Sequence, residues 1–128
     1  MTYEELMKSD DVSISEIDMS AVPSLKGLYY AGSIGIDKNL KTTKEKACVL
    51  AEELGHYHTS SGDILDQSNV ANRKQELRAR MWGYNKMIGL TGLISAVKAN
   101  CRNIYEIAEY LDVTEDYLKE ALSEQIRT

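Results

Sequence analysis

The sequence predicts a mainly helical α+β domain, and three observations predict it. Gly27-Leu-Tyr-Tyr-Ala31 and Ile34-Gly-Ile-Asp37 flank Gly32-Ser33, which reads as a tight β-hairpin closed by a primed turn. From Thr42 onward, apolar residues recur at helical rather than alternating spacing. Polar breaks then divide this stretch into segments of helix length, the first opened by Thr42 and Glu45, three residues apart as in a capping box.

In chain order, residues 2 to 9 form a short helix, and Val12, Ile14 and Ile17 suggest an extended piece. Pro23 keeps the following segment irregular. After the hairpin come about five helices, over residues 43–58, 71–87, 91–99, 103–111 and 115–126. Thr59-Ser-Ser-Gly-Asp63 ends the first of them and opens a polar loop to Asn69. A chain of 128 residues without repeats or linkers is one domain, 1–128, large enough to build a core without disulfide or metal.

Charge and composition narrow the function. The net charge is −5 with no block of like charges, which argues against nucleic acid or an anionic membrane as partner. Cys48 and Cys101 lie in apolar-periodic stretches and read as two buried free thiols of a cytosolic protein. No signal-peptide pattern opens the chain, and no segment approaches the roughly 18 to 20 apolar residues of a membrane span. The expectation is a soluble cytoplasmic protein.

Ala51-Glu-Glu-Leu-Gly-His-Tyr57 differs at one position from the zinc-peptidase pattern His-Glu-x-x-His: Glu52 stands where the first histidine belongs. At about 100° per residue, His56 lies roughly 40° and Glu53 roughly 100° around the helix from Glu52. Ala47, Leu50, Ala51, Leu54 and Tyr57 take the other side, so the helix is expected to bury that stripe and point the three polar residues away from the core. His58 is about 200° from His56 and cannot share an ion with it on a continuous helix. Downstream, Glu76 shares a helix face with Ala79, Arg80 and Gly83, whose two small residues let another backbone come close. A catalytic metal needs three protein ligands and one open position. Glu52, His56 and Glu76 supply the three, and Glu53 is placed to take a proton from the bound water. Zn²⁺ is the expected ion. Two carboxylates make the set harder and more neutral, admitting Mn²⁺ or Fe²⁺ and leaving the bound water less acidic.

Other readings stand beside this one. Glu-Glu-x-x-His also suits a plain solvated helix face, where a glutamate and a histidine four residues on make a modest contact. Asp63 and Asp66 can orient or donate a ligand, or simply form the turn. His58, Tyr57 and Tyr84 are candidates to stabilise an oxyanion. The basic residues Arg73, Lys74, Arg78, Arg80 and Lys86 read as a solvated face. Either hairpin strand, Gly27–Ala31 or Ile34–Asp37, is a candidate edge for an extended peptide.

Leu50-Ala-Glu-Glu-Leu-Gly-His-Tyr57, Gln75-Glu-Leu-Arg-Ala-Arg-Met-Trp-Gly83, the Gly-Leu-Tyr-Tyr hairpin and Ile107–Thr114 together resemble the ImmA/IrrE-type metallopeptidases, from about residue 25 onward. The resemblance implies a minimal zincin-like domain and a cytosolic, metal-dependent endopeptidase. Such enzymes cleave or inactivate a helix-turn-helix repressor of a prophage or other mobile element. It also implies His56 and Glu76 as metal ligands and Glu53 as the catalytic carboxylate, with Glu52 at a ligand position of unusual type. The alternative is a non-catalytic protein of the same fold that binds the repressor stoichiometrically. Residues 103–128 have the apolar spacing of a helix-turn-helix, yet they carry seven acidic side chains against Lys119 and Arg127. Phosphate would repel that surface, so a packing element or a dock for the partner is expected, not DNA binding.

Overall fold

The computed structural model describes residues 1–8, 11–59 and 70–126. Its first helix, α1 (Tyr3–Lys8), opens on a reciprocal cap. Thr2 Oγ1 accepts from the Glu5 amide at 3.2 Å, and Glu5 Oε1 accepts from the Thr2 amide at 3.0 Å. Leu6 from this helix is fully buried.

Strands β1 (Ser13–Ile17), β2 (Gly27–Tyr30) and β3 (Ser33–Asp37) form one sheet in the order β1-β3-β2. The hairpin is antiparallel, and its register pairs Tyr30 with Ser33. The two turn residues are therefore Ala31 and Gly32, one position earlier than the sequence suggests. Ser33 is held in the strand because it also pairs with Ser13 of β1. Both turn residues have positive φ, 50° and 81°, the signature of a type I′ turn. β1 runs parallel to β3, a pairing the sequence did not indicate. β3 is thus central, so Ile34–Asp37 offers no free edge, and β2 is the outer strand on its side.

The core lies between this sheet and α2 (Thr43–Thr59). Ile34 and Ile36 point from β3 into a cluster with Leu50 and Leu54 of α2, each burial stabilising by about 1.5–3 kcal/mol. Thr42 Oγ1 caps α2 by accepting from the Glu45 amide at 3.1 Å, as the capping-box spacing predicts. α3 (Val70–Met87) and α4 (Gly89–Lys98) follow, then α5 (Ile104–Leu111) and α6 (Glu115–Ile126).

The helix-turn-helix spacing is real and structural. Asn103 caps α5 at the Glu106 amide, Asp112 ends it with φ 59°, and Thr114 Oγ1 caps α6 at the Tyr117 amide. These caps fix a turn that drives Val113, Tyr117 and Leu118 into the core. The whole is a small, mainly helical α+β domain. No helix among the described residues is long and apolar enough to cross a membrane. Both cysteines are free; Cys48 is buried, but Cys101 is only half-buried, because it follows the end of α4 in a turn.

Candidate functional site

The site is built on the seam between α2 and α3, and small residues create it. A Cβ on Gly55 would fall 2.8 Å from the Ala79 carbonyl carbon and 3.0 Å from its Cα. A Cβ on Gly83 would fall 3.2 Å from the Ala51 carbonyl. Ala51 and Ala79 are fully buried between them. The close approach expected from Ala79 and Gly83 thus occurs, and its partner is α2.

At that separation, side chains flanking the seam meet. His56 Nε2 of α2 lies 3.2 Å from Glu76 Oε2 of α3. Two ligand atoms on one tetrahedral ion, with bonds of about 2.0–2.1 Å, stand about 3.3 Å apart. The spacing therefore suits either a hydrogen bond or a shared cation. His56 Nδ1 is buried and has no hydrogen-bond partner among the described residues.

Glu53 is buried as well. Its carboxyl tucks under β2, where a Cβ on Gly27 would meet Glu53 Oε2 at 2.9 Å and Val49 Cγ1 at 2.7 Å. Any other residue at position 27 would push the outer strand off this carboxylate. Burial first, and then the charges of Glu52 and Glu76, raise the Glu53 carboxyl to about 8. Glu52 is also raised, chiefly by burial, while His56 and Arg80 pull it down and Glu76 pushes it up. The expectation that α2 points these polar residues away from the interior is thus corrected. α3 and β2 cover that face, so Glu53 and His56 are buried and Glu52 is half-buried.

The structure gathers the proposed site residues unevenly. His56 and Glu76 are in contact, Glu53 is one turn away beneath β2, and Glu52 feels the charges of both partners. Among the described residues, no three His, Cys, Asp or Glu side chains come together as a group that could hold an ion. Two of the three donors fit a metal as they stand; Glu52 does not complete the set in this conformation. Tyr57 and His58 belong to an aromatic ladder instead. Tyr29 meets Tyr57 edge-on at 6.2 Å, Tyr57 meets His58 at 4.9 Å, and His58 stacks on Trp82 at 4.6 Å. Asp63 and Asp66 lie outside the described residues.

Beside Glu52 opens a cleft of about 310 Å³, bounded by α2, α3, the first turns of α6 and Lys26 ahead of β2. Arg80 lines it and is half-buried, so it is no part of the solvated face to which Arg73, Lys74, Arg78 and Lys86 belong. Its position one turn beyond Glu76 on the same face was the signal for this. Tyr84 and Tyr117 also line the cleft, packed edge-on at 5.1 Å. Burial raises the Tyr84 phenol to about 12. The helix-turn-helix spacing marked Tyr117 as an inward residue but not as a neighbour of Glu52; its direction is set by the Thr114 cap.

A search of the curated proteins and a search of the solved structures each found no match. The profile of the IrrE N-terminal-like domain, peptidase family M78, matches residues 8–123. That span takes in α2, α3 and the closing helices as well as the sheet, and so the whole seam and cleft. The chain belongs to the IrrE N-terminal-like family of metallopeptidase-like domains.

Proposed function

We propose that this protein is a metal-dependent endopeptidase acting on a protein, with a helix-turn-helix repressor of a prophage or mobile element as the substrate the family resemblance implies. The observation that carries the reading is the His56–Glu76 contact across the α2–α3 seam, with the buried Glu53 carboxyl beside it. His56, Glu76 and Glu52 would hold a divalent ion, Zn²⁺ first and Mn²⁺ or Fe²⁺ next. When bound, the ion would polarise the scissile carbonyl and acidify a water.

The chain's own residues have the remaining work. A carboxyl held near 8 sits close to the operating pH, where one group can take a proton and then return it to the leaving amine. Glu53 has that property because β2 and the seam keep it from water. β2, the outer strand directly above Glu53, offers its edge to an extended segment, giving backbone hydrogen bonds that tolerate varied sequence.

Two observations favour a second reading. Glu52 replaces the expected histidine, and no three donors converge among the described residues. A protein that grips the repressor without cutting it accounts for both. Calorimetric titration of Zn²⁺ and Mn²⁺ into chelator-stripped protein comes first, with His56→Ala alongside. One-to-one binding lost in the variant supports the metal reading; no binding, or equal binding by the variant, ends it. Turnover then separates the two. Substoichiometric protein should fragment excess repressor, a chelator should stop it, and Glu53→Gln should keep the metal but not the cleavage. A fully active Glu53→Gln variant removes the role given to Glu53.

A further inference from the structure

Hydrogen bonding in the hairpin uses only half of the β2 backbone. The Asp37 amide donates to the Lys26 carbonyl at 2.9 Å, which makes Lys26 and Asp37 a hydrogen-bonded pair of the antiparallel ladder. Such pairs alternate with non-bonded ones. Leu28 opposite Gly35 and Tyr30 opposite Ser33 are therefore bonded pairs too. On the other side of β3, the Gly32 carbonyl accepts from the Ser13 amide at 3.3 Å and the Lys38 amide donates to the Ile17 carbonyl at 2.8 Å. Even-numbered residues there turn to β1 and odd-numbered ones to β2, in agreement. Gly27 and Tyr29 are left with their N–H and C=O groups directed out of the sheet, at an edge where no strand among the described residues pairs with them. A row of this kind is a template for a further strand. Gly27 is also the residue that lies over the Glu53 carboxyl.

The two faces at this edge differ. Gly27 and Tyr29 share the face of Ile36 and Ile34, toward α2. Leu28 and Tyr30 lie on the opposite face and are 45% and 56% exposed. A Cβ on Gly35, the partner of Leu28, would meet Ile17 Cδ1 at 3.1 Å and Met19 Cε at 3.2 Å. Ile17 and Met19 thus fill the place of the missing side chain and carry the apolar surface on from Leu28 across the sheet.

We propose that the bound polypeptide is an extended segment added antiparallel to β2 through Gly27 and Tyr29, and that Leu28 selects a large apolar side chain at the residue between its two bonded ones. The inference rests on the reading that the ligand is a polypeptide laid along β2, but not on its being cut. Successive side chains of a strand point to opposite faces. The residues bonded to Gly27 and Tyr29 would point toward α2, and the one between them to the outer face. That middle residue stands in a non-bonded pair with Leu28, the closer kind, with Cβ atoms about 4.5–5.5 Å apart. An aliphatic or aromatic side chain there would cover Leu28 and reach Tyr30 on the diagonal, whereas serine or aspartate would leave both exposed. The ligand is therefore a segment free to extend, not a helix, with a large apolar residue next to the one bonded to Gly27.

The test is an NMR titration of the metal-free full chain with the blocked pentapeptide acetyl-Ser-Thr-Leu-Thr-Ser-amide and its counterpart with serine in place of leucine. Saturable shifts are expected, larger at the Gly27 and Tyr29 amides than at those of Leu28 and Tyr30, which already donate to β3. The serine peptide should bind at least about threefold more weakly. The leucine peptide N-methylated at its three central amides should not bind, because it cannot form the ladder. Leu28→Thr, at an exposed strand position, should leave the rest of the spectrum unchanged. It should weaken the leucine peptide about threefold and the serine peptide not at all, a coupling that a double-mutant cycle reads directly. No saturable binding, equal binding of the N-methylated peptide, or additive effects of the two substitutions would each overturn the subsite. Metal titration and turnover decide cutting independently. Peptide binding without turnover keeps the subsite and removes the peptidase, and turnover with no coupling to Leu28 does the reverse.

Discussion

Gly55→Ala tests whether the seam sets the site. Two effects oppose each other. Alanine in place of a mid-helix glycine stabilises by about 0.8–1.0 kcal/mol through the unfolded chain and the helix propensity. Against this, the new methyl would lie 2.8 Å from the Ala79 carbonyl carbon and 3.0 Å from its Cα, and nearer still to its oxygen. Carbon atoms in contact prefer about 3.5–4.0 Å and the carbonyl oxygen is closer than either carbon, so α3 must retreat by about 1 Å or more. The obstructing atoms are backbone, which has no rotamer to change. Overpacking of this kind costs about 1–3 kcal/mol, and with rigid neighbours the upper part of that range applies. The steric effect wins, leaving a net destabilisation of about 1–2 kcal/mol. For a domain of this size that lowers Tm by about 4–8 °C. Thermal and urea unfolding would measure it, with Gly92→Ala as control. There the nearest atom is Leu111 Cδ2 at 3.2 Å, the movable end of a side chain, so the propensity gain should survive. The retreat also separates His56 from Glu76, and a misplacement near 1 Å costs on the order of 100-fold in activity. Gly55→Ala matching or exceeding the wild type in stability, as Gly92→Ala should, would refute the close-packed seam.

Two further outcomes are expected. Ala31 holds φ 50° in the hairpin turn, a conformation that costs an alanine about 1–2 kcal/mol and an asparagine less; Ala31→Asn should raise the unfolding free energy by about 0.5–1 kcal/mol, read as a higher urea midpoint at unchanged m-value, and a lower midpoint would contradict the I′ assignment. Burial raises the Cys48 thiol from an ordinary 9.0 to about 11. The folded chain therefore keeps a proton that the unfolded chain has lost, and stability falls as pH rises from about 9 through 11. The slope approaches 1.4 kcal/mol per pH unit at most, and urea unfolding of Cys48→Ala should show that component gone. An identical alkaline slope in the variant would rule it out.

How much of this was legible in the sequence depends on whether the deciding contact is local. The Thr42 cap and the helix limits were readable because such signals are local: Thr42 acts on an amide three residues away. The Asn103 and Thr114 caps, equally local, emerged only from the structure. The pair of small residues on α3 also announced a close helix contact, since only backbone approach explains Ala79 and Gly83 beside Glu76. The parallel β1–β3 pairing was not legible, because it is made between strands separated by the Pro23 segment and β2. The hairpin turn slipped by one residue for a related reason: Ser33 is held in the strand by β1, not by its own neighbours. Burial of Glu53 and His56 escaped the helical wheel, which shows which residues share a face but not what covers it. Here α3 and Gly27 of β2 cover it.

That covering gives Glu52 its meaning. With histidine at this position, the seam would hold two imidazoles and the carboxyls of Glu53 and Glu76. With Glu52 it holds one imidazole and three carboxyls, all withdrawn from water to different degrees. Removing negative charge from water is costly unless positive charge accompanies it. The fold already shows three partial answers: Glu53 kept protonated to about 8, Arg80 drawn in from a helix whose other basic residues are solvated, and His56 against Glu76. Each is a form of the same demand for a cation. A divalent ion in the seam would meet it, and Glu52 is one of the carboxylates such an ion would neutralise. Replacing Glu52 by glutamine should therefore weaken metal binding, whereas Glu120→Gln, at an exposed position of α6, should leave it unchanged. If Glu52→Gln left metal binding intact, the carboxylate in the histidine's place would have no electrostatic role in holding the ion.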